Sequence, residues 1–439
     1  MTAQDIYPYF LSYSSISIDT RKIEPGDIFF CLRGANNGNQ YAEEALQKGA
    51  SYVVMDDPEL KKESLPDHKI FMVANCLETL QELSKIHRST LKIPIIGITG
   101  SNGKTTSKEI IRSVLSQKRE VFATQGNLNN HIGVPLSILS IHPHHDMAVI
   151  EMGANHQKEI EFLSSLCQPN YGMITNIGKA HLEGFGGIEG VKKGKGELYT
   201  YLKDHEGLAF VYTGDDNLMD LSTKLDRKLF YGTRGDEFTV GKIVSEYPFL
   251  KVSWTHSFGE QEGGECHSNL TGAYNLPNIL AAISIGAYFG LSAAEIAKGI
   301  EDYIPNNNRS QIQKSGSNEL ILDLYNANPD SMQAALENFI SYPYEHKMVV
   351  LGDMFELGEE SFKEHLKITE LVNSMKLDKK LLIGPGFFIF HNRFPNIHFE
   401  ENLENASKWL KNQKWENTAI LFKGSRGMKL ENLLVFFNS

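Results

Sequence analysis

The stretch Ile95-Ile-Gly-Ile-Thr-Gly-Ser-Asn-Gly-Lys-Thr-Thr106 decides the fold. A strand-length apolar run enters a glycine-rich turn that ends in Gly103-Lys104-Thr105, and a helical pattern opens at once. Glycine frees the backbone so that the N–H groups of Gly100, Ser101, Asn102 and Gly103 can converge on phosphate oxygens. The helix start at Lys104-Thr105-Thr106 adds its partial positive charge. Lys104 is placed to reach β- and γ-phosphates, and Thr105 to offer its hydroxyl to Mg²⁺. The spacing departs from the usual G-x-x-x-x-G-K-[ST], because Ile98 stands where the first glycine belongs. The alternative is a tight turn with an incidental lysine. A strand before, a helix after and Gly-Lys-Thr-Thr together favour the phosphate site.

Outward from this turn, strand-like runs at 93–99, 147–152, 172–175 and 208–212 are each followed by a helix-length pattern. Strands alternating with helices predict a parallel sheet wrapped on both faces. A metal-holding acid is expected at the end of a neighbouring strand, and Asp146-Met-Ala-Val-Ile-Glu151 supplies Glu151 there. The β-rich alternation at 238–258 predicts an antiparallel edge or flap, and helices follow at 276–288 and 293–302. The polar stretch Pro305-Asn-Asn-Asn-Arg309-Ser310 reads as a linker. Beyond it, strands at 320–323, 348–351, 381–383 and 419–422 alternate with helices as a second, smaller doubly wound unit. The first 90 residues form a small mixed α/β unit with strands at 27–32 and 52–55 and helices at 42–48 and 77–88. The expected architecture is α/β in three domains, 1–90, 91–307 and 308–439.

Composition narrows the function. A chain of 439 residues exceeds the size at which one core stops growing, about 250–300 residues. Its 43 Lys+Arg against 54 Asp+Glu, net −11, argue against sequence-independent binding to nucleic acid or anionic lipid, though not against a local cationic pocket. No apolar run approaches the roughly 18 residues of a spanning helix, and no basic segment precedes an apolar one at the start. The four cysteines, Cys31, Cys76, Cys167 and Cys266, share no CxxC spacing and read as free thiols in a reducing compartment. A cytosolic monomer is expected, with no nucleic-acid partner and no membrane insertion.

At this point the chain resembles the Mur ligase family of ATP-dependent amide ligases. Thr99-Gly-Ser-Asn-Gly-Lys-Thr-Thr106 is similar to that family's variant phosphate loop. The resemblance continues through Gly126-Asn-Leu-Asn-Asn130, Glu151-Met-Gly-Ala-Asn-His156, Ile174-Thr-Asn-Ile-Gly178 and Ala180-His-Leu-Glu-Gly-Phe-Gly186. It extends to Tyr325-Asn-Ala-Asn-Pro-Asp-Ser-Met332 and Leu351-Gly-Asp-Met-Phe-Glu-Leu-Gly358. It implies the cytoplasmic step of peptidoglycan precursor synthesis in which D-alanyl-D-alanine is joined to UDP-N-acetylmuramoyl-tripeptide. The alternative is a sister ligase, or a folylpolyglutamate-type synthase, adding a single amino acid. A carboxylate is a poor acyl donor, so the implied route phosphorylates it with ATP and lets the amine displace phosphate. Bringing an anion to a triphosphate needs cations between them, hence two Mg²⁺ ions.

The resemblance also implies site residues. Thr105 and Glu151 hold one ion, and Glu151, His181 and Lys195 the other, with Lys195 converted by CO₂ into a carbamate because an ammonium cannot ligate a cation. Lys104, His181 and Lys195 are thus the implied catalytic group. Asn275, Asn278, Arg309 and Asp323 join the loop residues around ATP. Thr20 and Arg21, with Asn127, Asn129 and Asn130, are implied for the UDP-sugar substrate. Tyr325, Asn326, Asn328 and either Lys423 or Arg426 are implied for the dipeptide. Several of these have a plainer reading: a lone loop histidine is usually structural, and an asparagine before a helix is usually a cap.

Overall fold

The computed structural model describes residues 1–13, 15–257, 262–305 and 311–437. Its strands form three sheets. The first has four parallel strands in chain order, Ile16–Ser17, Ile28–Phe30, Tyr52–Met55 and Ile70–Met72. The amphipathic helix Cys76–Thr90 covers it, started by Asn75, whose side chain accepts from the amides of Leu77 and Glu78.

The central sheet has nine strands among the described residues. At its heart Ile95–Thr99 lies between Met147–Glu151 and Tyr171–Ile174, parallel to both. Every residue of the first two strands is buried, which is why they read as unbroken apolar runs. Helices Lys104–Leu115 and Leu276–Tyr288 pack Ile110, Val114, Ile279 and Ile283 on one face. Glu159–Cys167 and Ile188–Asp204 pack Ile160, Leu163, Leu198 and Leu202 on the other. The expected antiparallel edge is larger than the 238–258 pattern suggested. Thr239–Ser245 runs parallel to Lys228–Gly232, then pairs antiparallel with Lys251–His256, which pairs in turn with Glu262–His267.

The third sheet orders its strands Gln311–Ser315, Asn318–Asp323, Thr418–Lys423, His346–Gly352, Lys379–Ile383 and His398–Glu400, with only the first antiparallel. The three units are not independent. Leu136 and Leu139 of the central unit sit in the first unit's core. Arg88, buried on the helix between them, donates to the carbonyls of Cys167 at 2.8 Å and Gln168 at 2.9 Å. One apolar cluster runs from Leu182 and Phe185 of the central unit into Ala327, Met354 and Leu357 of the third. The linker expected at 305–310 falls mostly outside the described residues.

Candidate active site

The phosphate turn is built as its glycines require. Gly100 has φ 141° and Gly103 φ 79°, conformations that L side chains rarely adopt. Both are also crowded: a Cβ on Gly100 would lie 2.9 Å from the Thr175 amide, and one on Gly103 2.7 Å from Asn278 Oδ1. The loop is braced from the adjacent strand end. Asn176 Oδ1 accepts from the Asn102 amide at 3.0 Å, and the Ser101 hydroxyl and the Gly178 backbone bond each other at 2.9 Å in both directions. Lys104 Nζ donates to the carbonyls of Gly100, 2.7 Å, and Ser101, 3.1 Å, folding back over its own loop. Thr106 is buried beside it.

Sheet register brings the acid to the turn: Ile98 pairs with Glu151 across two parallel strands. The Thr105 hydroxyl donates to Glu151 Oε2 at 2.8 Å, and the Asn129 amide donates to Oε1 at 2.8 Å. Neighbouring ligand oxygens on an octahedral Mg²⁺ at about 2.1 Å lie roughly 3.0 Å apart, so the Thr105–Glu151 pair fits such an ion. Among the described residues no cluster of three or more His, Cys, Asp or Glu side chains could hold a metal alone.

His181 lines the same cavity, and Lys195 reaches the carbonyl of Ala154, another lining residue. Lys195 is 1 % exposed; its Nζ donates to the Ala154 carbonyl at 2.9 Å and stands 4.8 Å from the centre of the Phe185 ring. Among the described residues no carboxylate forms an ion pair with it. Burial, with the Lys104 charge nearby, pulls its pKa well below the ordinary lysine value.

The cavity, about 700 Å³, is walled on its far side by the third unit, through Asp323, Tyr325, Asn326, Asn328 and Lys423. Lys423 is buried and bonds the Asp323 carboxylate. Arg426 is exposed instead, its guanidinium 5.4 Å from the Tyr325 ring centre and outside the cavity lining. Asn328 and Asn102 join the walls, Nδ2 of Asn328 donating to Asn102 Oδ1 at 2.7 Å. Asn275 and Asn278 also line the cavity, although their amides already serve the fold: Asn278 Nδ2 donates to Asn275 Oδ1 at 2.9 Å, and Ser107 donates to Asn278 Oδ1.

Of the substrate asparagines, Asn129 and Asn130 line the cavity while Asn127 is exposed outside it. Thr20 and Arg21 lie on the first unit, away from that lining. Arg21 is 84 % exposed and holds both oxygens of Asp19, at 2.9 and 2.7 Å, which keeps that carboxyl well below the usual carboxylate range. Arg309 lies outside the described residues. Several cavity residues carried no role in the sequence reading: Asn155, Asn176, Asp330, Phe355 and Glu356. Each lies in a quoted motif, so position was visible and purpose was not. Lys108 is also new: fully buried, it donates to the Thr124 carbonyl, and the Thr124 hydroxyl accepts from the Glu151 amide at 3.0 Å.

Three α/β units meet over a phosphate loop, with an acid beside it and cations on both walls. The family comparisons make this arrangement that of an ATP-dependent ligase forming an amide bond. Family comparison agrees along the chain. Residues 12–88 match the Mur ligase family catalytic domain, 98–286 the Mur ligase middle domain and 308–426 the Mur ligase glutamate ligase domain. The UDP-N-acetylmuramoyl-tripeptide–D-alanyl-D-alanine ligase of Bacillus subtilis is 34 % identical over 434 residues, covering 95 % of this chain and 92 % of that protein. The crystal structure of MurF from Acinetobacter baumannii aligns with a TM-score of 0.87 at 28 % identity, over 100 % and 98 % of the two chains. MurF ligase from Thermotoga maritima, solved in complex with ADP, gives 0.83 at 26 %, over 98 % of each. The chain belongs to the Mur ligase family.

Proposed function

We propose that this enzyme adds D-alanyl-D-alanine to UDP-N-acetylmuramoyl-tripeptide at the expense of ATP. The observation that carries the reading is the shared cavity. A phosphate loop with Lys104, Thr105 and Glu151 on one wall faces Asp323, Tyr325 and Lys423 on the other. The full-length relatives named for this reaction, and the ADP complex of one of them, support it. In this scheme residues 1–90 bind the UDP-sugar, 91–307 hold ATP, and 308–439 cover ATP and present the dipeptide.

Each residue then has a chemical task. Backbone amides of Gly100 to Gly103, with Lys104, grip the phosphates. Thr105 and Glu151 would hold one Mg²⁺, and Glu151, His181 and Lys195 as its carbamate a second; the ions would supply charge neutralisation between triphosphate and carboxylate. Lys195 is suited to the modification because an amine reacts with CO₂ only when uncharged, and burial favours that form. Phosphate moves to the tripeptide carboxylate, the dipeptide amine attacks the acyl carbon, and inorganic phosphate leaves. Lys423 is the choice over Arg426 for the dipeptide carboxylate, since it alone reaches the cavity. Asn275, Asn278 and Arg309 are assigned to the nucleotide, Tyr325, Asn326 and Asn328 to the dipeptide, and Thr20, Arg21, Asn127, Asn129 and Asn130 to the UDP-sugar peptide. The same reading takes the enzyme as a cytoplasmic monomer; no helix among the described residues is long and apolar enough to cross a membrane.

A phosphate-release assay tests the reading. With ATP, Mg²⁺ and UDP-N-acetylmuramoyl-tripeptide, phosphate should appear on adding D-alanyl-D-alanine and not on adding single amino acids. Equal or faster release with a single amino acid would overturn it.

A further inference from the structure

The motif Leu351-Gly-Asp-Met-Phe-Glu-Leu-Gly358 has no task in the scheme above, yet most of its residues are tied down. Asp353 is 4 % exposed, and its carboxylate accepts from the amides of Gly386 at 2.8 Å and Phe387 at 3.0 Å. Its carbonyl accepts from the Ser425 amide at 3.0 Å. The amide of Met354 donates to His365 Nε2 at 3.1 Å, and that of Phe355 to the Ser425 hydroxyl at 2.9 Å. Met354 and Leu357 are buried. A loop fixed by this many bonds aims the two side chains it leaves exposed toward the cavity, Phe355 and an acid.

The acid is Glu356. Its backbone is left-handed, φ 62°, and so is that of His181, φ 54°, on the central unit. Each such residue carries a backbone cost that the surrounding contacts must offset. The two meet: Glu356 Oε2 lies 2.6 Å from His181 Nδ1, an ionic contact off the line of a ring N–H, and the Glu356 carbonyl accepts from the Glu183 amide at 3.4 Å. Gly358, φ 55°, passes so close that a Cβ there would come within 3.2 Å of Glu183. The same central segment is pinned again from the third unit. Lys179 Nζ bonds the buried Glu364 at 2.8 Å, and its amide donates to Asp330 at 2.7 Å.

We propose that Glu356 is a positioning residue: it holds His181 by Nδ1, leaving Nε2 for the cavity, and does so only while the third unit is docked. The inference rests on the assignment of His181 to the Mg²⁺ site. Histidine ligands are commonly oriented by a carboxylate on the ring nitrogen that does not bind metal. Here that carboxylate belongs to another unit, so the ring is set only when the wall bearing Lys423 has closed. Docking for the amine substrate and readiness for phosphoryl transfer thereby become one event. Strain at 181 and 356 is consistent with a contact held for use, since docking supplies the interactions that offset it.

The test uses the full-length enzyme and its Glu356→Ala and Glu356→Gln variants. Long-range ¹H–¹⁵N spectra of histidine-labelled protein, without nucleotide, should show the His181 ring protonated on Nδ1 in the wild type and in Glu356→Gln, whose amide oxygen can still accept. In Glu356→Ala that signature should be lost. In turnover, Glu356→Ala should lower kcat about 10- to 100-fold and raise the Mg²⁺ concentration for half-maximal rate, while KM for ATP changes less than about threefold. Glu356→Gln should recover most of the loss. If Glu356→Ala fails to fold, the wild-type ring spectrum carries the test, with protonation of His181 on Nδ1 expected and protonation on Nε2 overturning the proposal. Wild-type ring spectra and Mg²⁺ dependence in Glu356→Ala would overturn the proposal, as would a wild-type His181 protonated on Nε2. The spectra do not depend on which amine the enzyme accepts, so an error in the assigned substrate would leave them unchanged and show only in the phosphate-release assay.

Discussion

Two buried lysines, one in the cavity lining and one bonded to the carbonyl of the lining residue Ala154, differ in their surroundings. Lys423, on the third unit, bonds a carboxylate, Asp323, at the end of the neighbouring strand. Lys195, on the central unit, has a carbonyl and an aromatic ring for company. A carboxylate gives a buried lysine a charged hydrogen-bond partner. A lysine buried without such a partner is pushed toward the neutral amine. The contrast teaches that burial alone does not say what a lysine is for; its partner does. The third unit holds its lysine in an ion pair, whereas the central unit holds its lysine against a carbonyl and a ring.

Substitutions break or sharpen this contrast, beginning where the effect is largest. Lys104→Ala removes the cation that lies over the phosphate loop and depresses its neighbour Lys195; ATP-dependent phosphate release should fall by at least about 10³-fold with Tm nearly unchanged. Lys195→Met should also abolish turnover, with a second consequence in the unliganded protein. A lysine whose folded pKa is depressed binds fewer protons folded than unfolded. Stability therefore rises with pH between that depressed value and the ordinary one near 10.4. Lys195→Met should flatten this rise and raise Tm most at the acid end, measured by calorimetry in CO₂-free buffer without Mg²⁺. Lys423→Met should act on the amine instead, raising KM for D-alanyl-D-alanine about ten- to a hundredfold, in line with one charge-assisted bond. Arg426→Ala should move it less than about threefold. Asn328→Ala removes the amide bond to Asn102 and should cost the least, a two- to tenfold loss in kcat/KM, as expected for about 0.5–1.5 kcal/mol.

How much of this was legible in the sequence depends on the distance over which each feature is decided. The strand that feeds the phosphate loop was plain, because buried parallel strands are continuous β-branched runs and two glycines mark where the backbone must turn. Helices Leu276–Tyr288 and Ala293–Asp302 fall where their periodicity put them. The strand Ile16–Ser17, two residues long, carries no pattern of its own and is defined by its neighbour. Site chemistry follows the same rule. Thr105 and Glu151 were legible as candidates because one opens the helix after the phosphate turn and the other ends a buried strand. The isolation of Lys195 depends on what is absent around it, and no motif writes that down. The Asn102–Asn328 bond joins residues 226 apart, and the pairing of His181 with Glu356 needs two left-handed turns to meet across units. Arg21 shows the converse. Its sequence context suggests a diphosphate contact, and the structure gives it Asp19, two residues away.

Isotope transfer tests the central claim most directly, that ATP and the tripeptide carboxylate react with each other in this cavity. UDP-N-acetylmuramoyl-tripeptide labelled with ¹⁸O in its acceptor carboxylate should, after one turnover with ATP and D-alanyl-D-alanine, leave one labelled oxygen in the released phosphate and one in the new amide. Phosphate released without label would mean that the carboxylate was never phosphorylated, and the account would be contradicted.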